Sequence, residues 1–325
     1  MPTLHRFGAC IVESAREVFK RSQLIIKVKE PQPDEFELLN ESHILFTYLH
    51  LAPDFKQTQA LLDSGCTAIA YETVTNSQGG LPLLAPMSEV AGRLSVQMGA
   101  SALQKNNGGS GVLLGGVPGV ASGKVVVIGG GVVGSNAIRM AIGRECHVTV
   151  LEKSLVCLQE LDKQYGNRLS TLYSTEANIN EQVASADVVI GAVLIPGGAA
   201  PKLIKKSLLK TMRPGSVLVD VAIDQGGCFE TSKPTTHHNP TYEVDGVLHY
   251  CVTNMPGAVP RTSTLALNNA TLPFILNIAN AGVSSALLGD VHLRNGLNIF
   301  RGSVTHKEIA SHQNRPYIDS LKLLS

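Results

Sequence analysis

Apolar runs that alternate with amphipathic segments dominate the chain from residue 82 to residue 260. Val125–Ile128 and Ala186–Val193 are typical of strands buried on both faces of a parallel sheet. Between such runs, leucines recur with helical spacing, as in Leu155–Tyr165. Strands that alternate with helices predict a doubly wound parallel sheet. Further strands are predicted at His147–Leu151, Ser170–Ser174, Ser216–Ile223 and Val247–Val252, and further helices at Ser135–Ile142, Ile179–Ala184 and Lys202–Leu209.

The same alternation recurs upstream in shorter segments. Ser14 and Glu17 have the spacing of a capping box and predict a short helix. Two long amphipathic segments, Met87–Gln104 and Leu265–Ala281, flank the central region and could connect two domains. Other predicted elements are the strands Cys10–Val12, Gln23–Val28, Ile44–Leu49 and Cys66–Tyr71 and the helix Phe55–Leu62.

The turn after Val125–Ile128 matches the pattern G-x-G-x-x-G in residues 129 to 134. In this pattern Gly129 allows the tight turn, Gly131 lets the backbone approach a pyrophosphate, and Gly134 lets the helix pack closely on the strand. The phosphates would lie at the helix N-terminus, where free N–H groups and the helix dipole favour negative charge. The strand–turn–helix context favours a nucleotide site over a merely glycine-rich turn.

Glu152 ends the next predicted strand, eighteen residues after Gly134. An acid at this position can accept hydrogen bonds from the hydroxyls of the adenosine ribose. A 2′-phosphate beside it would bring like charges together, so NAD is favoured over NADP. Lys153 is adjacent and keeps NADP open.

We therefore predict two doubly wound, Rossmann-like α/β domains with a cleft between them. Residues 82–260 form the nucleotide domain, which is inserted into a discontinuous substrate domain made of residues 1–81 and 261–325. Ligands of open α/β sheets bind at the carboxyl ends of the strands, and the cleft is the expected site.

Three ionisable residues follow predicted strands: Lys29, His50 and Asp224. Each has an ordinary structural interpretation, because Lys29 could be a surface lysine, His50 a histidine that bonds backbone, and Asp224 a turn cap. Together, a cation, an imidazole and a carboxylate can bind a carboxylate substrate and move protons beside a nicotinamide.

Composition excludes several other classes of function. The 325 residues carry a formal net charge of +1, which gives no electrostatic footprint for nucleic acid. The longest apolar runs are strand-sized, so no membrane span is predicted, and the N-terminus lacks a signal-peptide core. Six cysteines without a C-x-x-C pair are typical of reduced thiols in a cytoplasmic protein.

Seven stretches of the chain resemble the NAD-dependent enzymes of the alanine dehydrogenase/transhydrogenase family. They are distributed along most of the chain, from residue 27 to residue 264, and are far more specific than the glycine pattern alone. The matching stretches are Lys27–Pro31, Ile44–Leu51, Ala70–Thr73, Leu81–Leu94, Leu114–Val120, Leu218–Glu230 and Cys251–Thr264.

The resemblance implies reversible oxidative deamination of L-alanine to pyruvate and ammonia, with NAD as the hydride acceptor, by a cytoplasmic homo-hexamer. It implies that Lys29 binds the substrate, that His50 is the catalytic acid and base, and that Asp224 is the second catalytic residue. Besides Gly129, Gly131 and Gly134, the positions that match cofactor contacts are Ser88, Val132, Val133, Glu152, Ser174, Val193, Leu194, Val221, Ala222, Ile223, Asp224, Val252, Thr253, Asn254 and Met255.

The sequence departs from the family pattern at three places. A lysine or arginine that follows the ribose acid is Cys157 here, and a glutamate and histidine that bind a divalent ion in some members are Asn277 and Ala281, so no metal is expected. The family chain opens with a strand and a substrate-binding arginine ahead of what aligns with Phe7, and Arg6 has no matching motif around it.

Two alternatives to an active dehydrogenase follow from these departures and from the family itself. One is a transhydrogenase-like NAD-binding subunit, and the other is an NAD(H)-binding protein whose catalysis is impaired. Because the substrate-binding arginine of the family is missing, we expect the chain as written to bind NADH but to show strongly reduced or undetectable oxidation of L-alanine.

Overall fold

The computed structural model describes residues 8–193 and 200–324. These residues fall into two compact units, which are treated separately below. Unit one contains the chain up to Leu84 and from Leu267 onward, and unit two is Ala85–Ala266.

Unit one begins with a short helix that Ser14 caps, because the Ser14 hydroxyl accepts the Glu17 N–H at 3.3 Å. The Glu17 carboxylate pairs with Arg21 at 3.1 Å, so the structure shows only the Ser14 half of the predicted capping box. The predicted strand Cys10–Val12 is wrong, since this segment has no strand structure and a three-residue apolar run is too short to specify one. The elements are α1 Ala15–Arg21, β1 Leu24–Ile26, β2 Ile44–Thr47, α2 Phe55–Ser64 and β3 Thr67–Ala70.

Unit two alternates strands and helices as the hydrophobic pattern predicts. Its first helix begins and ends two residues earlier than the predicted segment Met87–Gln104. The strands predicted at Ala186–Val193, Ser216–Ile223 and Val247–Val252 are shorter than their apolar runs, because each ends before the run does. The elements are α3 Ala85–Ala102, β4 Lys124–Ile128, α4 Val132–Gly143, β5 His147–Glu152, α5 Leu155–Tyr165, β6 Leu169–Tyr173, α6 Glu176–Ala184, β7 Val188–Gly191, α7 Lys206–Leu209, β8 Val217–Asp220, β9 Thr241–Val244 and β10 Val247–Tyr250.

The seven strands of unit two form one sheet in the order β6-β5-β4-β7-β8-β10-β9. All neighbouring pairs are parallel except β10 with β9. Successive side chains of a strand point to opposite faces, and β4 accordingly contributes Val125 and Val127 to one buried apolar cluster and Val126 and Ile128 to another. The sheet is therefore buried on both faces.

The antiparallel edge strand β9 is absent from the pattern-based prediction. Asp245 and Gly246 join it to β10 with φ of +51° and +80°, as a two-residue hairpin turn requires. An Asp-Gly pair between two apolar segments is the signal that identifies such a hairpin.

The remaining chain starts in unit two and returns to unit one. Two further strands of unit one are β11 Leu297–Phe300 and β12 Ser303–Val304. The sheet order is β1-β2-β3-β11-β12, with the first three strands parallel and β11 antiparallel to β3. The remaining elements are α8 Pro260–Ala281, α9 Val283–Gly289, α10 Val291–Asn295, α11 Lys307–His312 and α12 Ser320–Leu324.

Among the described residues, no single helix is both long enough and apolar enough to cross a membrane. Helices α8 and α9 together have the length and the apolar composition of a membrane span, but the chain bends by 120° between them.

Candidate functional site

The glycine turn of unit two joins β4 to α4, and its three pattern glycines have different surroundings. Gly129 has a φ of +101°, which glycine adopts without strain. A Cβ on Gly134 would lie 1.8 Å from the Gly129 carbonyl oxygen, so only glycine fits there. Among the described residues, a Cβ on Gly131 would meet nothing within 4 Å. This part of the chain therefore leaves open space beside Gly131.

The space beside Gly131 suits an anion. Gly131 is the N-cap of α4 and has no side chain with which to cap the first-turn N–H groups. Such unpaired N–H groups, together with the helix dipole, make a helix N-terminus a phosphate-binding element. The residues present thus fit the pyrophosphate of a dinucleotide.

Glu152 is the last residue of β5, and its carboxylate is hydrogen-bonded to the glycine turn. One carboxylate oxygen accepts the Gly130 N–H at 2.7 Å, and the other accepts the N–H groups of Lys153 and Ser154 at 2.7 Å and 2.8 Å. An ionised carboxylate can accept about four hydrogen bonds, so Glu152 keeps acceptor capacity for a ribose hydroxyl.

Cys157 lies against the same turn, where a thiol replaces the expected cation. The Cys157 Sγ is 3.3 Å from the Gly130 carbonyl oxygen, and a Cβ on Gly130 would lie 2.7 Å from the same sulfur. Burial, reinforced by the Glu152 carboxylate, raises the pKa of the Cys157 thiol. Cys157 is therefore a packing neighbour of the turn and holds no positive charge.

Most of the predicted cofactor positions follow the carboxyl ends of the six parallel strands in unit two. Parallel strands end at one edge of a sheet, and the order of strands reverses between β4 and β7, which is where ligands bind in open α/β sheets. Leu194 lies outside the described residues, and Ser88 lies on α3. The positions after the strands are Gly129, Gly131, Val132, Val133 and Gly134 after β4, Glu152 at the end of β5, Ser174 after β6, Val193 after β7, Val221, Ala222, Ile223 and Asp224 after β8, and Val252, Thr253, Asn254 and Met255 after β10.

Helix α3, which carries Ser88, packs closely on α4. A Cβ on Gly92 would lie 2.2 Å from the Val133 carbonyl oxygen, so the two helices approach at a distance that only glycine allows. Beside this contact, the Arg93 Nε donates to the Asn136 side-chain oxygen at 2.9 Å. These contacts with α3 fix the position of α4, the helix that begins at the glycine turn.

Asp224 lies in a short 3₁₀ turn after β8. The predicted strand Ser216–Ile223 ends at Asp220, because the Asp220 carboxylate accepts the Ala222 N–H at 3.1 Å and starts the turn Val221–Gln225. Asp220, and not Asp224, is thus the residue that caps this turn. The Asp224 side chain is exposed.

In unit one, Lys29 follows β1 by three residues and is exposed. Its carbonyl oxygen accepts the Thr47 hydroxyl at 3.0 Å, which ties the segment to β2. The nearby Lys27 is half-buried and paired with Glu35. Of the two lysines, only Lys29 has no acidic partner among the described residues.

His50 follows β2 on the same edge of the unit one sheet, because β1 and β2 are parallel. Its φ of +50° is uncommon for a residue other than glycine. The imidazole is 56% exposed, and it stacks on the Tyr48 ring with centroids 5.9 Å apart. Its Nδ1 lies 3.8 Å from the Glu72 Oε1.

Glu72 follows β3 and holds the His50 backbone. Its carboxylate accepts the His50 N–H at 2.6 Å and the Leu49 N–H at 3.2 Å. The amide of Gln57 donates to the Leu49 carbonyl oxygen at 2.7 Å, and that of Gln313 donates to the Leu51 carbonyl oxygen at 2.6 Å. Side chains thus replace strand hydrogen bonds around His50, which explains why β2 ends at Thr47 instead of Leu49.

Sequence reasoning missed Glu72 and Asp220 as parts of these sites. Glu72 follows a strand, so the rule that selected Lys29 and His50 could have found it. Asp220 is a charged residue inside an apolar run, and a buried charge is the signal that points to a specific set of hydrogen-bond donors. No pattern marks Gln313, whose partner Leu51 is distant in sequence.

Among the described residues, no group of three His, Cys, Asp or Glu side chains is placed to hold a metal ion. Asn277 and Ala281 are both exposed on α8.

The fold and the glycine turn define a Rossmann-type nucleotide-binding protein. The family model described as "Alanine dehydrogenase/PNT, N-terminal domain" matches residues 4–91, and "Alanine dehydrogenase/PNT, C-terminal domain" matches residues 95–307. The chain belongs to the alanine dehydrogenase/PNT family, as its resemblance predicts.

Relatives and solved structures agree with this assignment. An alanine dehydrogenase of Halomonas elongata is 56% identical over 98% of this chain and 85% of its own length. One of Bacillus subtilis is 51% identical over 98% of this chain and 84% of its own length. A solved L-alanine dehydrogenase is 51% identical with a TM-score of 0.91, over 95% of this chain and 85% of that one.

A transhydrogenase from Sinorhizobium meliloti shares the fold, with 22% identity and a TM-score of 0.77 over 90% of this chain and 84% of that one. The predicted two-domain, Rossmann-like α/β fold class is confirmed by the L-alanine dehydrogenase structure.

Proposed function

We propose that the chain catalyses the reversible oxidative deamination of L-alanine to pyruvate and ammonia with NAD. The observation that carries the proposal is the 51–56% identity to alanine dehydrogenases of Halomonas elongata and Bacillus subtilis over 98% of the chain. The Lys29, His50 and Asp224 side chains supply the cation, the imidazole and the carboxylate that the reaction needs.

The glycine turn and Glu152 would hold the cofactor. The α4 N-terminus and the open side of Gly131 would take the pyrophosphate, and the Glu152 carboxylate would accept the ribose hydroxyls. The negative charge of Glu152 disfavours a 2′-phosphate, which supports NAD over NADP. When bound, NAD supplies the acceptor for the hydride of the alanine Cα.

The chain's own ionisable groups would bind substrate and move protons. The Lys29 ammonium pairs with the substrate carboxylate as a point charge. The His50 imidazole takes a proton from the water that attacks the imine and returns it in the reverse direction. The Asp224 carboxylate stabilises the cationic amine. General acid–base catalysis of this kind contributes about 10²–10⁴ in rate.

The test is L-alanine-dependent NADH formation by the purified chain and its variants. We expect His50→Ala and Asp224→Ala to lose activity by about 10²-fold or more, while NADH binding, followed by its fluorescence, is retained. Matched controls are His312→Ala and Asp162→Asn, which remove exposed groups elsewhere and should keep wild-type activity. Wild-type turnover by the His50 or Asp224 variant would refute the assigned roles.

We also propose that the protein is a cytoplasmic homo-hexamer, as the family resemblance implies. Exposed leucines on α8, among them Leu272 and Leu276, provide apolar surface that a second copy could cover. Light scattering of the purified chain tests the assembly, and a monomer at micromolar concentration would contradict it. Cell fractionation tests the location.

A further inference from the structure

The position of Asp224 depends on the backbone that carries it. Its side chain is exposed and makes no hydrogen bond or ion pair with any residue in 8–193 or 200–324. A carboxylate without side-chain partners is placed by its own main chain alone. The question is therefore what fixes the 3₁₀ turn Val221–Gln225.

Asp220 provides the answer, because its buried carboxylate collects donors from both ends of the segment that carries Asp224. Asp220 is fully buried, with 0% of its surface exposed. On the near side it accepts the Ala222 N–H at 3.1 Å. On the far side it accepts the Cys228 N–H at 2.9 Å and the Phe229 N–H at 3.4 Å. The Ser232 hydroxyl and the Cys228 thiol also donate to it.

The two glycines after Asp224 bring the chain back to this carboxylate. Gly226 and Gly227 have φ of +88° and +78°, a region that favours glycine. A Cβ on Gly227 would lie 2.6 Å from the Asp220 Oδ2. The main chain therefore approaches the Asp220 carboxylate at a distance that only glycine allows. From the outside, the Lys202 ammonium donates to the carbonyl oxygens of Gly226 and Gly227.

These contacts close residues 221–228 into a loop with a buried anion at its base. We propose that Asp220 is a positioning residue, whose carboxylate fixes this loop and thereby sets the reach of Asp224 toward the reacting amine. The inference rests on the proposed function, in which Asp224 is catalytic.

The donors also account for a carboxylate at a buried position. Burial raises the pKa of Asp220, and the hydrogen bonds from Ser232, Cys228 and Phe229 oppose that shift. A buried charge is retained only where such donors satisfy it. A purely apolar residue of similar size would leave the N–H groups of Ala222, Cys228 and Phe229 without an acceptor.

The discriminating variant is Asp220→Asn, which keeps the shape of the side chain. An amide has one acceptor oxygen, and its NH₂ group would face backbone N–H donors. The matched control is Asp187→Asn in the same unit. Asp187 is 5% exposed and accepts the Lys124 N–H at 2.8 Å, but it precedes β7, at the edge of the sheet opposite Asp220.

Three measurements separate positioning from general stability: kcat per NADH-binding site, the kinetic isotope effect with Cα-deuterated L-alanine, and deuterium uptake by peptides covering residues 221–229. For Asp220→Asn we expect kcat per site to fall by about 10- to 100-fold, because a misplacement of about 1 Å can cost about 10²-fold. The isotope effect should rise, since hydride transfer becomes slower than product release, and uptake in 221–229 should increase. Asp187→Asn should lower the melting temperature without changing any of the three.

Ser232→Ala is a milder second variant that removes one donor and keeps the charge. It should lower kcat per site by several-fold and tests the proposal if Asp220→Asn does not fold. An unchanged kcat per site in both variants, with an active wild type, would overturn the inference. A wild type without alanine dehydrogenation would overturn the proposed function instead, and unchanged uptake in 221–229 would then overturn the loop-fixing role of Asp220.

Discussion

Replacing Gly131 by alanine separates the structural needs of the glycine turn from its cofactor-binding role. The Gly131 backbone has φ of −65° and ψ of −161°, which any residue adopts, and an added Cβ meets no atom of residues 8–193 or 200–324 within 4 Å. Gly131→Ala should therefore fold. The gain of about 0.4–1 kcal/mol from a stiffer unfolded chain is offset by the poorer N-cap that alanine makes, so the melting temperature should change by only a few degrees.

The added methyl would, however, occupy the space from which a pyrophosphate approaches the α4 N-terminus. Losing one charge-assisted hydrogen bond from the phosphate costs about 1.5–3 kcal/mol, which is about 10- to 100-fold in the dissociation constant of NADH. Fluorescence titration with NADH measures this change. The loss should appear without any loss of secondary structure.

Two other glycines of α4 provide matched controls. Gly143→Ala also adds a Cβ that meets nothing within 4 Å, but at the far end of the helix, and NADH affinity should stay unchanged. Gly134→Ala places its Cβ 1.8 Å from the Gly129 carbonyl oxygen and should disrupt the turn itself. If Gly131→Ala binds NADH as tightly as the wild type, the phosphate does not lie at this turn.

Three further variants test the remaining charged groups. Glu152→Gln should narrow the preference for NADH over NADPH, because a carboxylate about 5 Å from a 2′-phosphate costs about 3 kcal/mol for each unit of phosphate charge at an effective dielectric constant of about 20; equal selectivity in parent and variant would argue against a ribose contact. Glu72→Gln should lower kcat by about 10-fold through loss of the charge that faces the His50 imidazole, whereas Glu41→Gln, an exposed carboxylate of unit one, should not. Burial lowers the pKa of His306, whose Nδ1 has no partner among the described residues, so the unfolded chain gains its proton at a higher pH, about 6.5, than the folded chain does. The melting temperature should therefore drop as the pH is lowered from about 7 to about 5, and His306→Gln should make this drop smaller. Parallel profiles of melting temperature against pH in parent and variant would contradict the role of His306.

The hydrophobic pattern predicted most of unit two because its signals are local. An apolar run of four residues and a glycine pattern specify β4 and its turn wherever the rest of the chain lies. Strand ends were less predictable. β8 ends at Asp220 because a side chain four residues before Asp224 captures a backbone N–H, and apolar periodicity does not record that contact.

The sequence by itself determined most of the element types, the glycine turn, its ribose acid and the choice of Lys29, His50 and Asp224 as candidates, since each follows from residue type and spacing along the chain. Only the tertiary structure decided how these groups are held. Glu72 reaches the His50 N–H across 22 positions, and Gln313 reaches the Leu51 carbonyl oxygen across 262. Such contacts depend on which strands become neighbours, and a hydrogen bond between residues far apart in the chain leaves no periodic trace in either segment.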